Sequence, residues 1–211
     1  MLAEADVAAL VGARHGDPFR VLGLHADSSG RLWLRALLPG AAAVWVCDAG
    51  SGRKLVELGL RHPDGLFEAS IPRRRKRFDY RLDVVWTSGS ETSLTDAYSF
   101  GPQLPVDELE QFHRGVHPSP YTLLGAHACQ AAGEDGVRFA VWAPNARRVS
   151  VVGDFNTWDG RRHPMRFRHE AGVWEIFVPG AGLGALYKFE LLGAAGELLP
   201  LKADPFARGS Q

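Results

Sequence analysis

Val173-Trp174-Glu175-Ile176-Phe177-Val178-Pro179 is dense in β-branched and aromatic residues and is closed on both sides by turn formers, Gly172 and Pro179-Gly180. Short runs of that composition between breakers read as strands. Three more follow the same rule in this part of the chain: Arg138-Phe139-Ala140-Val141-Trp142, Val149-Ser150-Val151-Val152 and Leu186-Tyr187-Lys188-Phe189-Glu190-Leu191. Pro144-Asn145, Asp159-Gly160, Glu170-Ala171-Gly172 and Gly193 separate them. The upstream half has the same rhythm, with runs at 32–38, 44–47, 54–58, 66–71 and 78–85. Short strands with turn signals about every 8–12 residues predict antiparallel sandwiches of roughly 100 residues, so the fold class is all-β.

The chain also repeats itself. His15-Gly16-Asp17-Pro18-Phe19-Arg20-Val21-Leu22-Gly23-Leu24-His25 recurs as His117-Pro118-Ser119-Pro120-Tyr121-Thr122-Leu123-Leu124-Gly125-Ala126-His127. Leu66-Phe67-Glu68-Ala69-Ser70-Ile71-Pro72 recurs as the run quoted at the outset. The segments 32–39, 78–84 and 95–100 have counterparts at 137–144, 185–191 and 203–207. Order is kept, and the offset drifts only from 102 (15 to 117) to 108 (96 to 204). Five segments in register predict two tandem homologous units. Helix formers over 3–13 predict a short N-terminal helix. Pro105, early acids and His113-Arg114 predict a helical connector over 105–116. The expected division is 1–104, connector 105–116, and 117–211.

Composition narrows the function classes. Lys+Arg and Asp+Glu number 24 each, so the formal net charge is zero, which argues against a nucleic-acid binder relying on bulk charge. Cys47 and Cys129 form no CxxC and no disulfide framework, which fits a reducing compartment. The N-terminus lacks the basic region of a signal peptide, and there is no run of about 18 apolar residues for a membrane span. A cytoplasmic location is expected, with neither a nucleic acid nor a membrane as partner.

Gly153-Asp154-Phe155-Asn156-Thr157-Trp158-Asp159-Gly160 puts an indole on a polar loop. Apolar sugar faces stack on such a ring, and their hydroxyls need amide or carboxylate partners. The competing reading is that Trp158 caps its own sandwich or packs on another domain. Lys188 alternates with Tyr187 and Phe189, which places it on the other face of its strand, where it could donate to sugar hydroxyls. Trp158, Lys188 and Asn156 are the candidate carbohydrate-binding residues. Asp154 and Asp159 do not form the separated carboxylate pair that glycosidic cleavage needs, and turn roles are expected for both. Arg73-Arg74-Arg75-Lys76-Arg77 reads as a solvated hairpin tip, with a phosphate or partner contact as the alternative. His15, His25, His113, His117 and His127 fit no metal spacing. His15 and His117 hold equivalent repeat positions and are expected to share a structural role. No metal site, cofactor or catalytic residue is assigned.

The segments 138–145, 153–160, 172–179 and 186–190, together with Leu201-Lys202-Ala203-Asp204-Pro205-Phe206, resemble the starch- and glycogen-binding modules of carbohydrate-binding module family 48. The order of segments is similar to that of bacterial 1,4-α-glucan (glycogen) branching enzymes of glycoside hydrolase family 13, whose extra N-terminal domain is matched by 15–25, 95–100 and 112–117. The resemblance implies immunoglobulin-like sandwiches, an α-1,4-glucan ligand such as glycogen or a maltooligosaccharide, and a role in glycogen synthesis. It also implies a family 13 catalytic barrel as partner, in cis or in trans. No position here matches that barrel's aspartate nucleophile or glutamate acid/base, so the chain is expected to be inactive alone. The alternatives are a purely structural module docking on such a barrel, or the N-terminal region of a debranching-type enzyme. In glucan-sensing relatives two Trp platforms flank a Lys. Trp158 and Lys188 match one platform and the Lys, but the second platform would fall near Glu197-Leu198-Leu199-Pro200, which has none. Cys47-Asp48-Ala49-Gly50-Ser51-Gly52 of the first unit has no platform.

Overall fold

A computed structural model describes residues 2–182, 184–207 and 209. Residues 208, 210 and 211 of the expected second domain, and Leu183 within it, lie outside the described residues. The chain divides into two compact units, Met1–Gly12 with Phe19–Ser99, and Ala13–Pro18 with Phe100–Gln211. Among the described residues there are four antiparallel sheets and three short α-helices, an all-β, immunoglobulin-like fold.

In the first unit, one sheet has the order β1(Gly23–Ala26)-β2(Leu32–Leu37)-β6(Leu66–Ser70)-β5(Gly59–His62). The other is β4(Lys54–Glu57)-β3(Ala41–Asp48)-β7(Tyr80–Trp86)-β8(Glu91–Leu94). Alternating side chains from both, including Leu34, Val44, Val46, Phe67, Leu82 and Val84, are buried in one cluster. Helix α1(Glu4–Val11) adds Val7 and Leu10 to a second cluster with Leu22, Leu37, Leu66 and Tyr98.

The second unit contains the sheet β12(Arg166–Arg168)-β13(Val173–Pro179)-β10(Glu134–Trp142)-β9(Gly125–Ala131). Facing strands β11(Arg148–Gly153) and β14(Tyr187–Leu192) are paired, and isolated bridges Ser150–Pro164 and Phe189–Lys202 widen this second sheet on both edges. Every residue of β11 is buried. Short helices α2(Val106–His113) and α3(Pro120–Leu123) lie in this unit, and α2 buries Leu109 with Leu104, Leu123 and Val173. The segment expected as a connector, 105–116, thus contributes to the second unit's core.

The repeat extends to individual hydrogen bonds. His15 Nδ1 accepts the Asp17 N–H at 3.1 Å, and His117 Nδ1 accepts the Ser119 N–H at 3.2 Å. His25 and His127 each set Nε2 against the carbonyl three residues back, Leu22 at 2.7 Å and Leu124 at 2.9 Å. Tyr80 donates its hydroxyl to Asp96 at 2.6 Å, and Tyr187 donates to Asp204 at 2.5 Å. In both cases the second carboxylate oxygen accepts a backbone N–H two residues on, Tyr98 or Phe206. Burial pushes the Asp96 carboxyl up and, together with that neighbouring carboxyl, the Tyr80 hydroxyl well above its ordinary value.

Candidate functional site

The loop from Gly153 to His163 folds back over the β11–β14 pair, and its own side chains hold it there. Asn156 accepts the Gly153 N–H at Oδ1 (2.9 Å) and donates from Nδ2 to the Val151 carbonyl and to His163 Nδ1, both at 2.9 Å. Phe155 stacks on Phe139 with centroids 5.5 Å apart and stands 5.8 Å from the His163 ring, plugging the space beneath the loop. Gly153 lacks a Cβ for a steric reason: one built there would lie 2.3 Å from the Leu186 carbonyl oxygen. Further along, Ser150 Oγ donates to the Gly160 carbonyl at 2.6 Å. Arg148, 2% exposed, donates to Ser150 Oγ and to Glu190 Oε1, each at 2.7 Å.

This scaffold supports a strained tip. Thr157 and Trp158 both take left-handed backbone angles, φ +56° and +59°. Such a conformation costs about 1–2 kcal/mol for each residue with a Cβ, and the buried bonds of Asn156 hold it. The result lifts the Trp158 indole to 40% exposure. The ring does not swing freely. Its Nε1–H donates to Asp154 Oδ1 at 3.1 Å, while Asp154 Oδ2 accepts the Leu186 N–H at 3.2 Å. Asp159 pairs with Arg161 at 2.7 Å. Both aspartates therefore organise the loop.

Lys188 pairs with Val152 across the two strands, next to the Ser150–Glu190 pair. Lys188 and Glu190 share a strand face, and Gly160 lies directly against the Glu190 carboxylate. The loop that carries Trp158 therefore covers the face that presents Lys188. Tyr187 and Phe189 point the other way: Tyr187 sits 4.9 Å from Phe139, ring to ring, and Phe189 is fully buried. The Phe189–Lys202 bridge sets Leu201, 44% exposed, next in line across from Glu190, and Leu186 is 42% exposed beside the Asp154 carboxylate.

Asn156 differs from its expected role. It is 1% exposed and both polar ends are engaged inside the loop, so it positions the platform and offers no atom to a ligand. Its Gly153-x-x-Asn156 spacing, which lets the amide reach back to the Gly153 N–H, was the readable signal. At Glu197-Leu198-Leu199-Pro200, the place of a second platform, there is no aromatic side chain, and Leu198 is 63% exposed. The corresponding loop of the first unit is a tight turn in which Asp48 accepts the N–H and hydroxyl of Ser51.

Other chemistry is less well provided. Desolvation and the adjacent Asp83 carboxylate, to which it donates at 3.1 Å, push the Cys47 thiol up to about 11, far from a nucleophile at neutral pH. Among the described residues no group of three or more His, Cys, Asp or Glu is placed to hold a metal ion, and no helix is long and apolar enough to cross a membrane.

Residues 123–207 match the family described as Carbohydrate-binding module 48 (Isoamylase N-terminal domain), and residues 3–98 match alpha-1,4-glucan branching enzyme GlgB, N-terminal domain. Among solved structures, the chain is similar to a pullulanase complexed with maltotriose from Anoxybacillus sp. LM18-11, at 16% identity and TM-score 0.34, over 88% of this chain and 26% of that one. It is also similar to ligand-free PulA from Klebsiella pneumoniae, at 19% identity and TM-score 0.35, over 84% of this chain and 19% of that one. The chain thus spans about a quarter of the length of these enzymes, or less. The first unit is thus similar to a GlgB N-terminal domain over residues 3–98, and the second to a carbohydrate-binding module 48 over residues 123–207.

Proposed function

We propose that the chain is the non-catalytic N-terminal part of a cytoplasmic glycogen branching enzyme and that its second unit holds α-1,4-glucan chains on the Trp158 loop. The observation that carries this reading is a half-exposed indole, fixed at its edge by Asp154, on a backbone strained at two successive residues. Backbone strain that the surrounding structure maintains clusters at active sites and ligand clamps. A sugar ring stacks on the free face of Trp158, and Lys188, on the face beneath the loop, donates to its hydroxyls. One aromatic platform in place of two makes the site weak, since a lost aromatic contact of about 1 kcal/mol means several-fold in affinity.

The carbohydrate-binding module match does not by itself separate branching from debranching enzymes; the GlgB match over residues 3–98 favours branching. A second reading, that the units dock on a family 13 catalytic barrel, is favoured by exposed apolar side chains such as Trp142 (56%) and Tyr121 (63%) away from the loop. The two readings are compatible. Affinity electrophoresis in glycogen-containing gels tests the first: the chain is retarded and Trp158→Ala loses several-fold of that retardation. Equal retardation of the two would reject glucan binding at this loop.

A further inference from the structure

The run Arg73-Arg74-Arg75-Lys76-Arg77 of the first unit joins β6 to β7, and its arrangement is more specific than a solvated tip. Arg73, Arg74, Arg53 and Lys54 line a cavity of about 540 Å³, whose remaining walls are Leu55 and Pro72. Four of these six residues are cationic in a chain of zero net charge, so the positive field is local. Arg74 is fixed: it pairs with Asp48 Oδ2 at 2.5 Å and its guanidinium lies 4.1 Å over the Phe78 ring. Lys54 lies 5.1 Å over the Trp45 ring. Arg53 and Arg73 make no ion pair among the described residues, while Lys54 lies within electrostatic reach of the Asp83 carboxylate, which it helps to hold low. Arg73 is held at φ +59°, a left-handed conformation uncommon for a residue with a Cβ. Four cations gathered around two carboxylates, Asp48 and Asp83, leave an excess of positive charge that a bound anion offsets.

We propose that this cavity binds a small organic phosphate, its anionic oxygens on Arg53, Lys54 and Arg73 and its organic body against Leu55 and Pro72. Guanidinium forks match phosphate oxygens two at a time, and the lysine adds a point charge. The volume falls in the range of small-molecule sites, about 300–1,000 Å³. Single-stranded nucleic acid fits less well: it needs free aromatic faces for its bases, and those of Trp45 and Phe78 are covered by Lys54 and Arg74. Inorganic phosphate shares the anion but leaves the apolar wall unused.

Isothermal titration of the whole chain in chloride buffer, with inorganic phosphate and with adenosine diphosphate as probes, tests this. Saturable binding of one equivalent is expected, tighter for the organic probe. Arg53→Gln with Arg73→Gln weakens it by about tenfold or more, while thermal unfolding and retardation by glycogen stay as in the parent chain. Arg73→Lys, which keeps charge and loses the fork, falls between. The proposal is overturned by absence of saturable heat, by unchanged affinity in the double variant, or by equal affinity for both probes. Equally tight binding of a short RNA oligomer assigns the patch to polyanions in general and overturns it too.

Discussion

Asp154 joins the Trp158 indole to the start of β14: one carboxylate oxygen accepts the ring N–H at 3.1 Å and the other accepts the Leu186 N–H at 3.2 Å. The platform is therefore oriented before any ligand arrives, and a ligand need not order it. Asp154→Ala removes both bonds at a surface position, where each contributes about 0.5–1.5 kcal/mol. We expect a lower urea midpoint with unchanged slope, and several-fold weaker retardation on glycogen gels because the indole must now be ordered on binding. Retardation equal to the parent chain would show that the indole edge is irrelevant to the ligand.

Asn156 separates loop integrity from ligand contact. Its amide is buried and makes three bonds, so Asn156→Ala leaves the Gly153 N–H and the Val151 carbonyl without their partner. A loss of about 2–4 kcal/mol is expected in denaturant unfolding, from unsatisfied buried groups and from release of the strained tip. Trp158→Ala, by contrast, is expected to change stability by less than about 1 kcal/mol, its side chain being 40% exposed. If the two variants destabilise equally, Trp158 is a packing residue.

These contrasts mark what could be read from the chain and what could not. The strands of the all-β fold were legible wherever β-branched and aromatic residues cluster, as in Val173–Pro179, observed as β13. Strand β9, Gly-Ala-His-Ala-Cys-Gln-Ala over Gly125–Ala131, was not, because it has no residue with strand preference and owes its conformation to pairing with β10. Trp158 was legible as an exposed ring among turn residues. The burial of Asn156 was not, since an asparagine in a loop reads as a turn former until the chain is seen to close around it. The cavity at Arg73 depends on Arg53 and Lys54 from another hairpin, which no local pattern brings to it.

Glu175 shows the same limit inside a strand. It interrupts the apolar run of β13, is 1% exposed, and accepts from Arg168 at 2.7 Å and from the Gln103 and Leu104 N–H groups at 3.0 and 2.9 Å. Arg168 is itself buried, and its pKa is raised by its carboxylate partners against the opposing effect of burial. Glu175→Ala leaves that guanidinium without its main counter-charge and two N–H groups without an acceptor. Removing one partner of a buried pair costs about 3–5 kcal/mol. We expect the second unit to unfold at markedly lower denaturant; a change below about 1 kcal/mol would mean that water takes the place of the carboxylate.

Acid should act on the same loop through His163. Burial, and to a lesser degree Arg162, lowers its pKa from 6.5 to about 4. The geometry agrees: Nδ1 faces the Asn156 Nδ2, which donates to it, so a proton on Nδ1 would oppose an N–H to an N–H. Between these two values the unfolded chain binds a proton that the folded chain refuses. Stability is therefore complete above about pH 6.5 and declines as pH falls toward 4, by an amount on the order of 2 kcal/mol. His163→Gln keeps an acceptor for Asn156 and has no proton to take up. In paired urea titrations at pH 7 and pH 4.5, the parent chain should lose more stability than the variant, and glycogen retardation should fall with it. Parallel losses in the two chains would place the acid-sensitive group elsewhere.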